Sequence, residues 1–197
     1  MTVDKAKRDI KDVVAWINAT STGIEIPSDK RSQIASACFD VAIEHQAAIA
    51  LLADAELYGS MLALFRVCKE AQVRGLWLFF CASEHAISRF EKGKVDKSSG
   101  ELVKEIEENL GVSALSNLKE KAWSAMNDFT HTGYIQVTRR HAPERLGSNY
   151  PDSDIIGCLR VSTILGLLAS VQLVDMAGRE DLVKLHFEKV NEIVQSR

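Results

Sequence analysis

Three charged residues interrupt the most apolar stretch of the chain. Residues 61–82 read M-L-A-L-F-R-V-C-K-E-A-Q-V-R-G-L-W-L-F-F-C-A, and Arg66, Glu70 and Arg74 recur there at every fourth position. On a helix, a spacing of four keeps side chains on one face, drifting by about 40° per step. Such a ladder can be a solvated edge carrying ordinary i, i+4 ion pairs, each contributing about 0.3–0.5 kcal/mol. It can also be a buried or cleft-facing network, since charge leaves water only when it is paired. In that case Glu70 holds the guanidinium groups in place, and Arg66 or Arg74 offers donors to a phosphate or carboxylate.

A second segment, N-D-F-T-H-T-G at 127–133, places Asp128 three residues before His131. If the helix extends that far, the two share a face and the carboxylate can orient the imidazole. His131 can equally be a last-turn histidine that favours the helix dipole. Residues 134–145, Y-I-Q-V-T-R-R-H-A-P-E-R, follow at once and set Arg139, Arg140 and Arg145 beside Tyr134 and His141. A basic segment with aromatic residues can track a nucleic-acid backbone, and it can also be a plain solvated loop. The candidate catalytic residues are therefore His131, Arg66, Glu70 and Asp128. Arg74, Arg139 and Arg140 are the candidate phosphate- or anion-binding residues.

The elements that must position these groups read as helices. Ala6, Ile10, Val13, Val14 and Ile17 follow helical spacing within residues 3–19. Ser28 or Asp29 can cap a helix running to about Leu57, and Ser60 another running to about Phe90. A short helix at 101–110 ends at Gly111, and Ser113 can start one that stops at Gly133. Residues 134–151 lack helical period and hold two of the three prolines, with a β-like run at Tyr134 to Thr138. Asp152 or Asp154 caps a long apolar helix to about Ala177, and 179–196 form the last. The expectation is an all-α, up-and-down helical bundle of six or seven helices, in one domain over 1–197, with one irregular basic loop at about 134–151.

R-V-C-K-E-A-Q-V-R-G-L-W at 66–77, followed by N-D-F-T-H-T-G at 127–133, resembles a family of uncharacterised bacterial helical proteins. That family is marked by an R-x-x-x-E helix, often with R-G-x-W after it, and a later T/V-H near a helix end. The resemblance covers most of residues 40–175, and Arg66, Glu70 and His131 match its pattern. More distantly, the helical layout is similar to the HEPN superfamily. Many of its members are metal-independent ribonucleases of toxin–antitoxin and phage-defence systems, and others are non-catalytic. The ribonuclease signature of that superfamily is R-x(4–6)-H. Its ordered instance here is Arg179 to His186, where Glu180 departs from the usual residue after the arginine.

Other chemistry finds little support. No E-x-x-H occurs, adjacent Glu-His pairs chelate poorly, and no metal or cofactor is expected. Walker, G-x-G-x-x-G and G-x-S-x-G motifs are absent. Cys38, Cys68, Cys81 and Cys158 form no C-x-x-C pair and read as reduced thiols of a cytoplasmic protein. The N-terminal residues show no secretory h-region, and the apolar run from Val161 to Met176 reads as too short and too polar for a membrane span. A net charge of −3 predicts no general attraction to nucleic acid but leaves room for a local basic patch. Three functions stay open: an RNA-binding or RNA-cleaving effector, a non-catalytic homodimer that binds a partner through apolar helices, and a sensor of small anions.

Overall fold

A computed structural model of the chain describes residues 1–94, 97–111, 113, 115–116, 129–131, 133–142 and 145–195. Eight helices and one two-stranded sheet lie within these residues. Helix α1 (Val3–Ser21) buries Ala6, Ile10, Val13 and Ile17, the stripe its spacing predicts, and Thr2 caps it by accepting from the Lys5 amide at 3.2 Å. Asp29 caps α2 (Lys30–Asp54) by accepting from the Ser32 amide, which holds its carboxyl below the usual range. Helix α3 (Tyr58–Phe80) is the central element.

The apolar run after α3 continues to Ala82, yet the helix stops at Phe80 rather than near Phe90. Ser83 accepts from the Ala86 amide and starts a separate helix, α4 (Glu84–Glu91). From α2, Arg31 donates to the Leu78 and Phe79 carbonyls at 2.8 and 3.3 Å and pairs with Glu84. The end of α3 is thus satisfied from a distant helix. Helix α5 (Ser99–Leu110) opens on a Ser98–Glu101 capping box and closes on Gly111 at φ +67°. The helix expected from Ser113 to Thr132 falls largely outside the described residues.

Tyr134–Thr138, expected to be non-helical or β-like, is a one-turn helix, α6. The Thr138 hydroxyl turns back onto the Tyr134 and Ile135 carbonyls, so its β-branched side chain supports the turn. Strands β1 (His141–Ala142) and β2 (Arg145–Leu146) pair antiparallel, His141 against Leu146. Helix α7 (Asp152–Met176) packs on α1, α2, α3 and α8 (Glu180–Gln195). The fold is an all-α bundle.

By length and composition, α2 and α7 are each long and apolar enough to cross a membrane, with mean hydropathies of 1.3 and 1.7. Helix α7 starts at Asp152 and runs 25 residues, longer than the 161–176 run considered in the sequence. In this fold 61% of its apolar window is buried inside the bundle.

The core divides along α3. Its first half, with Met61, Leu62 and Phe65, packs with Ile49, Phe129 and Leu159. Its second half, with Val73, Trp77 and Leu78, packs with Phe39, Ile87 and Ile106. Gly75 lets α2 and α3 approach closely, since a Cβ there would lie 2.6 Å from the Phe39 ring.

Candidate functional site

Arg66 and Glu70 stand one turn apart on α3, and the Arg66 Nε donates to Glu70 Oε1 at 2.8 Å. Both side chains are largely shielded, at 21% and 28% exposure, so their pairing is not a freely solvated i, i+4 contact. Segment 129–131 crosses this face. Phe129 is buried in the first half of the core and anchors the crossing. Two residues on, the exposed His131 ring brings Nε2 to 3.0 Å from Arg66 Nη1. Arginine has donors only, so Nε2 must accept, and this geometry belongs to the neutral imidazole with its proton on Nδ1. Glu70, Arg66 and His131 therefore form one chain of hydrogen bonds across 65 residues of sequence. Asp128, expected to orient His131, lies outside the described residues. The arrangement holds a cation against a ring nitrogen able to take up a proton, with a carboxylate fixing the cation behind it.

The other expected residues separate. Arg74 leaves the ladder, because two steps of four residues rotate it about 80° from Arg66. It lines a different pocket, with its guanidinium 5.9 Å from the Phe90 ring. Arg139 donates to Asp154 at 3.2 Å and ties the end of α6 to the first turn of α7. Arg140 is exposed and borders a cavity of about 360 Å³ whose walls include Gly59, Ser60, Gln136 and Tyr150.

That cavity belongs to the same face of α3. Gly59 precedes Arg66 by seven residues, two turns or roughly 10 Å along the axis. Two described pieces meet the stripe, with His131 at Arg66 and Gln136 of α6 near Gly59. A Cβ on Gly59 would sit 2.6 Å from the Tyr150 hydroxyl, so glycine is what admits Tyr150 here. Tyr150 Oη and Gln136 Oε1 are both buried with no hydrogen-bond partner among the described residues. Two polar atoms that give up water without protein partners at a cavity wall suit a polar guest.

Sequence reasoning missed Ser60, Gln136 and Tyr150. The signal was Gly59 seven residues before Arg66, which marks a close approach on the charged face. It also missed Lys69, only 1% exposed and three residues from Arg66. A lysine among apolar neighbours at every helical angle was the clue.

The R-x(4–6)-H pair does not form a site. Arg179 faces solvent and pairs with Asp181, while His186 is fully buried. His186 packs on Trp16 at 4.6 Å between ring centroids. The Ser170 hydroxyl donates to the Leu167 carbonyl, so it accepts from His186 Nδ1 at 2.9 Å. Burial pushes the His186 pKa down. Among the described residues, no three His, Cys, Asp or Glu side chains gather as metal ligands would.

A helical bundle with a compact Arg–His–Glu contact is the class of protein this geometry defines. A family model described as a family of unknown function (DUF6988) matches residues 39–194, and the chain belongs to that family. The matched span includes Arg66, Glu70 and His131. Searches of curated proteins and of solved structures return no match.

Proposed function

We propose that the chain is a metal-independent RNA-cleaving effector, acting at the face formed by Arg66, Glu70 and His131. The observation that carries this reading is the 3.0 Å contact between Arg66 Nη1 and His131 Nε2. A phosphodiester entering between them takes over the guanidinium donors, which suit phosphate geometry. His131 Nε2 is then released to accept the proton of a ribose 2′-hydroxyl. The 2′-oxygen bonds to phosphorus, the bond to the 5′-oxygen breaks, and water protonates the leaving oxygen. The products are a 2′,3′-cyclic phosphate and a 5′-hydroxyl end. Arg66, held by Glu70, offsets the charge that develops on the non-bridging oxygens. The neighbouring cavity, with Ser60, Gln136, Arg140 and Tyr150, offers room and polar partners for an adjoining nucleotide.

The test is cleavage of a fluorescent RNA oligonucleotide in excess EDTA by the wild type, His131→Ala and Arg66→Ala. The reading requires cleavage by the wild type, with cyclic-phosphate ends. It also requires a loss of about 100-fold or more in His131→Ala at unchanged thermal stability. Cleavage retained in His131→Ala would remove it.

A second reading, a non-catalytic module that binds a partner or a second copy, is favoured by a separate observation. Tyr134 on α6 and Leu146 on β2 are 81% and 78% exposed. Sedimentation of the wild type and of a Tyr134→Ser, Leu146→Ser variant tests it: a wild type that is monomeric throughout counts against self-association.

A further inference from the structure

At the other end of α3 lies a pocket of about 250 Å³ bounded by α3, α4 and α5. Its walls carry Arg74, Arg89, Lys94 and His85 together with the rings of Trp77 and Phe90. No aspartate or glutamate among the described residues lines it. The acid behind the wall, Glu105, is already engaged. It accepts from Trp77 Nε1 at 2.7 Å and from Lys97 Nζ at 2.5 Å, and these bonds hold its carboxyl below the usual range.

Arg74 is the informative member. It is half-buried, its Nε is buried without a hydrogen-bond partner, and its guanidinium rests on the Phe90 ring at 5.9 Å. Among the described residues it meets no carboxylate. A guanidinium drawn out of water normally finds a carboxylate or phosphate, since its donors are costly to leave unmade. Arg74 and Trp77 are three apart on α3 and face the pocket together, while Gly75 between them faces Phe39. The R-G-x-W run thus serves two sides of one helix turn.

We infer that this pocket binds a small phosphate monoester carried on an aromatic ring, with Arg74 bonding the phosphate and Trp77 forming the ring's wall. Lys94, exposed at the pocket wall, supplies further positive charge, which a dianion matches better than a monoanion. The aromatic body follows from the rings of Trp77 and Phe90 among the lining residues, which give a planar group an apolar wall beside Arg74. The inference rests on residues separate from Arg66 and His131, so it stands or falls independently of RNA cleavage.

The experiment is isothermal titration of the intact chain with AMP, ribose 5-phosphate, adenosine and inorganic phosphate, alongside the fluorescence of Trp77. AMP is expected to bind and quench, with adenosine and ribose 5-phosphate each about tenfold weaker or more. Arg74→Gln is expected to lose about tenfold or more in AMP affinity. Lys94→Glu, at an exposed position, is expected to weaken binding with its fold intact, and so separates lost binding from lost folding. Arg66→Gln is expected to leave AMP affinity unchanged. Absence of heat and quenching at millimolar AMP, or equal AMP affinity in wild type, Arg74→Gln and Lys94→Glu, would overturn the inference. Ribose 5-phosphate binding as tightly as AMP would overturn its aromatic half.

Discussion

Replacing Gly75 with alanine should destabilise the protein, although the same change in an open helix would stabilise it. Alanine is favoured over glycine in a helix interior by about 0.5–1 kcal/mol. Here the added Cβ would lie 2.6, 2.8 and 3.0 Å from three carbons of the Phe39 ring, all inside ordinary contact. Phe39 is fully buried, so its ring has to retreat by most of an ångström into a packed core. Overpacking of this kind costs about 1–3 kcal/mol. The clash exceeds the propensity gain and leaves a net loss of about 1–2 kcal/mol. For a chain of this size, that lowers the melting temperature by about 2–8 °C. The assay is thermal and urea unfolding of Gly75→Ala, Phe39→Leu and the double variant. The double variant should be less destabilised than the two single losses together, because leucine vacates the space the new methyl needs. A Gly75→Ala protein that melts above the wild type would refute the reasoning and show that the α2–α3 contact is looser than described.

Two further outcomes follow from titratable groups in the core. His186 is fully buried and its pKa is depressed below 6.5, so the fold favours the neutral ring. Its contribution is fully present above about pH 6.5 and is lost as pH falls from there through the depressed folded pKa. Unfolding free energy measured between pH 8 and 5 should therefore decline on the acid side, and His186→Phe should flatten that decline; an unchanged slope contradicts it. Burial pushes the Cys68 and Cys158 thiols up to about 12, while Cys38 and Cys81 are only partly buried. A thiol reagent applied to the native protein should leave Cys68 and Cys158 unmodified until denaturant is added. Their labelling in the folded state, read by mass spectrometry, would place them nearer the surface than the core packing does.

The all-α character was legible because it depends on local pattern. Ala6, Ile10, Val13 and Ile17 are spaced as one buried stripe and emerge as one. Asp29 and Gly111 mark helix ends that the structure keeps, whereas the Ser98 cap that starts α5 at Ser99 was not read. Boundaries set from a distance were not legible. The stop after Phe80 depends on Arg31, some 47 positions earlier, reaching the last carbonyls of α3. At 134–138 the β-branched composition suggested strand, but local side-chain bonds and the turn after Gly133 favour a helical turn.

The candidate site divides in the same way. Arg66 and Glu70 pair as their spacing allows. Their meeting with His131 is tertiary and invisible to periodicity. Arg74 shared the spacing but not the destination, since the drift of a straight helix is small over one step and decisive over two. Tyr150 and Gln136 carry no motif at all, and only the approach of α6 to Gly59 brings them to the stripe.

The measurement that tests the account most directly is the ring-nitrogen signal of His131, followed by long-range 1H–15N NMR during titration with a 2′-O-methyl RNA oligonucleotide that cannot be cleaved. Before addition, Nε2 should report an unprotonated, hydrogen-bonded acceptor, and Arg66→Ala should change that signal. On addition, the wild-type signal should shift as phosphate takes over the guanidinium, and it should stay put in Arg66→Ala. A His131 signal indifferent both to the oligonucleotide and to Arg66 would contradict the site, leaving Arg66 and Glu70 as a structural pair on α3.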